Sequence, residues 1–431
     1  MATTSLPETL LHDATGRLRA AQDAYVARYP GDSGARQPVH TVYGGAQLFK
    51  AETSRRLGEL AIRALEEHAP DPQMFAEAIG ADAAHADVVY QRVTAKLRGE
   101  PVEDFRIDFE DGYGNRPDAE EDGHAAGAAE QVARGMEGGL LPPFIGIRIK
   151  PLTAELGGRA IRTLDLFVTT LMERAGKLPS GFVVTLPKIT DREHVAVLAD
   201  LLGALEGKLG LPERSLRMEF MIETTQCLLD PAGRSMLPLL VDAAAGRLTG
   251  AHFGTYDYTA GNEITAAFQR MRHPACDFAK QMMKIAFAGT GLWLSDGATN
   301  VMPVGARNVV HAAWRLHADD VRHSLVHGYY QGWDLHPAQL PTRYAAVYGF
   351  FLEGLPAATE RLSNFVAKAA QATLVGDIFD DAATGQGLLN FFLRGLACGA
   401  ITEEEALATG LTLDELRGRS FVKILRGRRG G

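Results

Sequence analysis

The stretch Arg217-Met-Glu-Phe-Met-Ile-Glu-Thr224 sets a short apolar run against a carboxylate at its end. Six residues of this kind suit a strand of a parallel sheet, buried on both faces. Similar runs lie on either side. Upstream, Phe182–Leu186 stops at Pro187-Lys188, and Phe144–Ile149 precedes Lys150-Pro151. Before those come Phe105–Phe109, followed by Glu110-Asp111-Gly112, and Val39–Tyr43, closed by Gly44-Gly45. Downstream come Thr249–Gly254, Gly291–Leu294 before Ser295-Asp296-Gly297, and Tyr329–Leu335 before His336-Pro337. Eight such runs, with helical stretches between them, predict a (β/α)₈ TIM barrel.

The connectors agree. Val195, Leu198, Leu201, Leu202 and Leu205 recur at helical spacing after Asp191, a cap residue. Ala160–Met172 and Cys276–Phe287 read the same way. The first connector, Gln47 to about Arg98, has room for two helices parted by Pro70 and Pro72. Residues 113–128 are acidic and read as an exposed loop entering a helix. From about Phe351 the pattern is purely helical, over Thr359–Leu374, Gly387–Leu396, Thr402–Thr409 and Leu411–Leu416. The expected organisation is a helical lead-in over 1–37, a barrel over 38–350, and a C-terminal helical extension over 351–431, a cap or oligomerisation arm. The basic tail (Arg417, Arg419, Lys423, Arg426, Arg428, Arg429) reads as solvated or partner-facing.

Bulk properties narrow the function class. The 431 residues carry a net charge of -9, with 46% hydrophobic and 23% charged residues. That balance argues against a nucleic-acid binder, which needs a basic face. Three scattered cysteines, Cys227, Cys276 and Cys398, give neither a disulfide framework nor a zinc site. Met1–Ala20 lacks the apolar core of a secretory signal, and no run reaches the ~18–20 apolar residues of a membrane span. A cytoplasmic protein is expected. P-loop, nucleophile-elbow, HExxH and dinucleotide-turn motifs are absent from the sequence.

Barrel active sites lie where strands enter the loops at their C-terminal ends. The residues near these run ends are polar: His40, Asp108, Glu110, Asp111, Arg148, Lys150, Lys188, Glu223, Asp257, Asp296 and His336. Glu223 and Asp257 follow adjacent strands. They either share a hard cation or bond to backbone or an arginine. Arg148 either holds a carboxylate or enolate oxygen or forms a structural ion pair. Within Asp108-Phe-Glu-Asp111, one acid orders water and another bonds Arg148 or a backbone amide, and spacing does not say which. Asp296 and His336 read as loop-fixing. His40 is either a base or a satisfied core histidine.

In order, these segments resemble the citrate lyase β-subunit, malyl-CoA lyase and class II pyruvate aldolase superfamily, from about Val39 to Gln339. Ile107-Asp-Phe-Glu-Asp111 is similar to the family's hydrophobic-Asp-hydrophobic-Glu-Asp segment, and Leu186-Pro-Lys188 to its Leu-Pro-Lys turn. Ile222-Glu223-Thr224 and Phe253-Gly-Thr-Tyr-Asp257 resemble the segments carrying the metal-binding Glu and Asp. Arg148 matches the substrate-binding arginine, within Arg-Ile-Lys where Arg-Val-Asn is usual. His273–Lys280, Ser295-Asp-Gly297 and Gly332-Trp-Asp-Leu-His-Pro-Ala-Gln339 resemble later family segments. The resemblance implies Mg²⁺ (or Mn²⁺ or Co²⁺) on Glu223 and Asp257, with Arg148, Glu110 and Asp111 as catalytic residues. It implies a carbon–carbon lyase or aldolase acting on a 2-oxo acid or hydroxyacyl carboxylate through an enolate, assembled as a homotrimer or hexamer. The alternatives are a malyl- or citramalyl-CoA-type lyase, a malate-synthase-like condensation, phosphoenolpyruvate-dependent phosphotransfer, and a non-catalytic assembly protein. Thioester-handling members begin with an Arg-Ser pair where this chain has His40-Thr41-Val-Tyr-Gly44-Gly45, which counts against CoA.

Overall fold

A computed structural model describes residues 5–369, 382–421 and 423–424. Leu374 and the basic residues Arg426, Arg428 and Arg429 fall outside the described residues. Eight parallel strands close into one barrel in chain order. They are β1 His40–Gly45, β2 Asp104–Asp108, β3 Phe144–Arg148, β4 Val183–Leu186, β5 Arg217–Ile222, β6 Leu248–Phe253, β7 Trp293–Ala298 and β8 Gln331–Asp334. β1 closes the cylinder by pairing with both β2 and β8. This is the (β/α)₈ TIM barrel expected, with further helices after β8.

Helices cover the outside because each strand turns one row of apolar side chains outward. Met218, Phe220 and Ile222 of β5 are fully buried in the same core as Val195, Leu198 and Leu202 of the helix Arg192–Leu209, which connects β4 to β5. Asp191 caps that helix, accepting from the Glu193 amide at 2.8 Å, and Gly210 ends it in the left-handed region at φ 67°.

Several local readings change. The first connector holds three helices, Thr53–His68, Pro72–Ile79 and Ala86–Gly99. Gly80 at φ 69° stops the second, and Asp82 starts a new turn by accepting from the Ala84 amide. β7 extends through Ser295, Asp296 and Gly297, where a turn was expected. The register with β8 shifts across this stretch, and buried Asp296 is satisfied by Lys280, Ser324 and the Gly297 amide. Within the acidic 113–128 stretch, the helix Asp118–Gly138 begins early and its Glu121 is buried against Lys150. The helix after β8 runs Leu340–Ala369 without a break near residue 350. It is tied to the barrel by Arg343 on Asp334 and by the Tyr344 hydroxyl, which donates to the Pro101 carbonyl at 3.1 Å. The N-terminal helix Glu8–Arg28 buries no residue and joins the body through Arg28–Asp242 at 2.6 Å and the Gly31 amide on the Gly289 carbonyl. All three cysteines are free and buried. No helix of the described residues is long and apolar enough to cross a membrane.

The barrel interior is polar. Arg106 of β2 reaches across to Glu219 of β5 at 2.7 Å, to Thr185 of β4 at 3.2 Å, and to Asp104 beside it. Glu219 also faces His252 of β6 at 3.1 Å. Trp333 of β8 donates its indole N–H to His252 Nδ1 at 3.1 Å. An indole nitrogen only donates, so His252 carries its proton on Nε2, aimed at Glu219. Burial pushes the Glu219 carboxyl up, but Arg106 and His252 outweigh it and hold the group at about 2.

A depressed carboxyl stabilises the fold above its ordinary range near ~4.3, and that contribution is lost as pH falls. Glu219→Gln is expected to cost about 3–5 kcal/mol at pH 7, because it leaves Arg106 short of a buried partner. The difference from wild type should narrow as pH falls from ~4.3 toward 2. Urea unfolding across that range reads both; a constant difference would contradict the assignment.

Candidate active site

The C-terminal ends of the strands bring one compact group of charges together. Asp108, the last residue of β2, accepts two bonds from Arg148 at the end of β3, at 2.7 and 2.6 Å. Its oxygens also take the amides of Glu110 and Gly112, at 3.0 and 2.7 Å. Asp108 therefore does both structural jobs left open within the acidic segment: it bonds the arginine and fixes the loop. The third guanidinium nitrogen of Arg148 is left facing Glu110 at 3.2 Å and Asp111 at 3.8 Å. Below, the guanidinium rests over the rings of Tyr43 and Trp333, at 4.8 and 6.0 Å. Burial disfavours its charge, yet Asp108 and Glu110 hold its pKa well above the ordinary value.

Glu223 follows β5 and is 2% exposed. Asp257 follows β6, in the first turn of the short helix Thr255–Gly261, with its side chain 39% exposed. Between them lies Lys188, from the turn after β4. Its amide donates to Glu223 at 2.8 Å, and its ammonium contacts Glu110, Asp111 at 3.3 Å and Asp257 at 3.5 Å. Lys188 adopts φ 50°, a region costly for a residue with a Cβ. Strain of this kind, of order 1–3 kcal/mol, collects at functional sites. Gly254 lets the next strand end approach: a Cβ there would lie 2.5 Å from Glu223 Cβ and Oε2.

The five expected residues, Arg148, Glu110, Asp111, Glu223 and Asp257, thus surround one mouth with Lys188 linking them. Lys150 turns away, donating to the Phe109 carbonyl and Glu121, both at 2.7 Å. His336 caps the short turn Pro337–Gln339, accepting from the Ala338 amide at 3.2 Å, and Asp296 is held as described. His40 begins β1, at the opposite end of the barrel from the mouth. It is fully buried, with Nδ1 on Asp334 at 2.7 Å and Nε2 accepting from the Glu103 amide at 3.0 Å. Those contacts fit a satisfied core histidine and remove it as a base. Tyr43, Trp333 and the central role of Lys188 were missed. Large aromatics inside strands read as ordinary core, and only the closed barrel turns them toward Arg148.

Among the described residues, five carboxylates meet two cations here, Asp108, Glu110, Asp111, Glu223 and Asp257 against Arg148 and Lys188. Burial pushes the Glu223 carboxyl up to about 8; Lys188 opposes the rise and the Asp257 carboxylate adds to it. Burial also raises Glu110, against Arg148 and Lys188. Such an excess of negative charge suits a hard divalent cation. Glu223 and Asp257 would hold it, leaving other positions for water and substrate oxygens, as Mg²⁺ prefers. Among the described residues, no three His, Cys, Asp or Glu side chains converge as a full ligand set.

Residues 18–424 match the family described as "Domain of unknown function (DUF6986)". The chain belongs to the DUF6986 family. A curated L-malyl-CoA/β-methylmalyl-CoA lyase from Haloarcula marismortui is 27% identical to this DUF6986 protein over 172 residues, 40% of this chain and 47% of that one. The matched region thus spans about half the length of that relative. The match supports the superfamily to which the strand-end motifs point. Among solved structures, the lead(II) complex of Haloferax volcanii malate synthase is 13% identical with a TM-score of 0.48, covering 92% of this chain and 99% of that one. The citrate lyase β subunit of M. tuberculosis, complexed with oxaloacetate and magnesium, is 14% identical with a TM-score of 0.38, covering 73% and 98%.

Gly254→Ala is expected to force the Glu223 carboxylate aside and destabilise the protein by about 1–3 kcal/mol. Urea denaturation of the metal-free protein measures this. An unchanged midpoint would contradict the close approach of the two strand ends.

Proposed function

We propose that this DUF6986 protein is a divalent-metal-dependent carbon–carbon lyase of aldolase type. Its substrate would be a 2-oxo acid or a hydroxyacyl carboxylate. The observation that carries this reading is the placing of Glu223 and Asp257 on one mouth with the Arg148 guanidinium, joined through Lys188 and Glu110.

A bound Mg²⁺ would act as a Lewis acid on a carboxylate and its neighbouring carbonyl. In the cleavage direction, a substrate hydroxyl gives up its proton, the carbon–carbon bond breaks, and the electron pair moves to the carbonyl oxygen as an enolate. Arg148 presents a fixed positive charge to that oxygen, and Asp108 holds its plane in place before substrate arrives. Lys188 restrains Glu110 and Asp111 at the rim. The Glu110–Asp111 pair orders the water that carries the hydroxyl proton away. Burial raises the Glu110 carboxyl above its ordinary range, which favours its holding a proton more than a free carboxylate would. Protonation of the enolate carbon then completes the turnover.

A thioester lyase or malate-synthase-like condensation is the second reading, favoured by the malyl-CoA lyase match. Both readings share enolate formation, and the acyl substrate separates them.

Exchange of pyruvate methyl protons in D₂O, followed by NMR, tests the proposal. Exchange is expected only with a divalent metal, and Glu223→Ala should reduce it by about 100-fold or more, the several kcal/mol of metal assistance. Turnover of malyl-CoA with no pyruvate exchange would move the assignment to the thioester reading. No reaction with either substrate in the metal-loaded protein would overturn it.

A further inference from the structure

The lower mouth of the barrel, opposite the site above, holds a cavity of about 410 Å³. Its wall is apolar and aromatic: Phe144, Val183, Leu248, Leu292 and Trp293 line it, with Phe144 and Trp293 edge to face at 5.7 Å. Its roof is the Asp104–Arg106–Glu219 group of the barrel interior, and Pro30, Gly31 and Pro38 of the N-terminal segment border it. That volume lies within the range of small-molecule sites.

One charge at this cavity is unmatched. Arg217, the first residue of β5, lines it, and no carboxylate among the described residues pairs with it. The nearby arginines do have partners. Arg247 is paired with Glu206 at 2.7 Å, and Arg214 with Glu213 at 3.5 Å. Half-burial, and then the charges of Arg247 and Arg214, weaken the hold of Arg217 on its proton, and the Glu206 carboxylate, already paired with Arg247, offsets them only in part. A half-buried guanidinium without a counter-charge is costly, and an anion entering the cavity relieves that cost. The roof limits which anion fits. Asp104 and Glu219 already occupy Arg106, so the roof offers two carboxyl groups and no free cation among the described residues. A doubly charged phosphate would crowd those carboxyl groups, whereas a singly charged carboxylate on an apolar body would meet Arg217 at one end and the aromatic wall at the other.

We propose that the lower mouth is a second ligand site, for a small monocarboxylate with an apolar body, anchored by Arg217. It stands apart from the lyase reading, since none of its residues lines the upper mouth. The column Arg106–Glu219–His252–Trp333 runs from its roof to the aromatic floor under Arg148. A ligand here therefore sits at the far end of the contacts that support the upper site.

Calorimetric titration of the full chain with hexanoate, and separately with hexan-1-ol, tests this directly. Hexanoate should bind at least tenfold more tightly than hexan-1-ol to wild type. Arg217→Gln should abolish that preference, Arg217→Lys should keep part of it, and Trp293 fluorescence should respond to hexanoate but not to inorganic phosphate. Equal affinity for the acid and the alcohol in wild type would overturn the proposal without any variant being needed. So would hexanoate binding unchanged in Arg217→Gln, or displaced competitively by pyruvate with Mg²⁺.

Discussion

Closing eight parallel strands into a barrel forces alternate side chains onto one narrow axis, and the Arg106–Glu219 ion pair is what makes that axis habitable for polar groups. Strand alternation puts Asp104, Arg106, Thr185, Glu219 and His252 inside together. Any of these left alone in such a setting would carry a large desolvation cost. Arg106 meets three of the four others, and His252 is held between Glu219 and Trp333. The interior is thus a packed polar column. Through Trp333 and Tyr43 it supports Arg148, which faces the mouth from below.

The mouth follows the opposite logic. Its carboxylates outnumber its cations, and Lys188 is stretched among four of them in a strained backbone conformation. Burial raises Glu223 to about 8 against the pull of Lys188, and the Asp257 carboxylate adds to the rise. A surplus of carboxylates at the strand ends fits the proposed uptake of a cation there. Arg148 differs from Lys188 in being fixed twice by Asp108. Its geometry does not depend on what enters the mouth, as a preorganised oxyanion partner requires.

The barrel was legible because buried parallel strands read as short apolar runs, and eight of them recur with helical spacing between. The strand-end carboxylates were legible for the same reason: Glu223 directly ends Met-Glu-Phe-Met-Ile, and Asp257 stands in the turn after the next run. Distinguishing the two ends of a strand was harder. His40 lies within the apolar run Val39–Tyr43, yet it starts the strand and is bound to Asp334. β7 hid Asp296 because a buried acid inside a strand looks like a turn until Lys280 and Ser324 arrive from distant helices. Tyr43, Trp333 and Arg217 gain their meaning only from which strands face each other across the axis, and no local pattern records that.

The central claim is that Glu223 and Asp257 hold a divalent cation at this mouth. Titration of the full chain with Mn²⁺, counting free ion by electron paramagnetic resonance, tests it most directly. One ion per chain is expected to bind wild type, with binding lost in both Glu223→Ala and Asp257→Ala while the thermal unfolding of each variant remains cooperative. Mn²⁺ bound equally well by wild type and both folded variants would place the cation elsewhere and contradict the account.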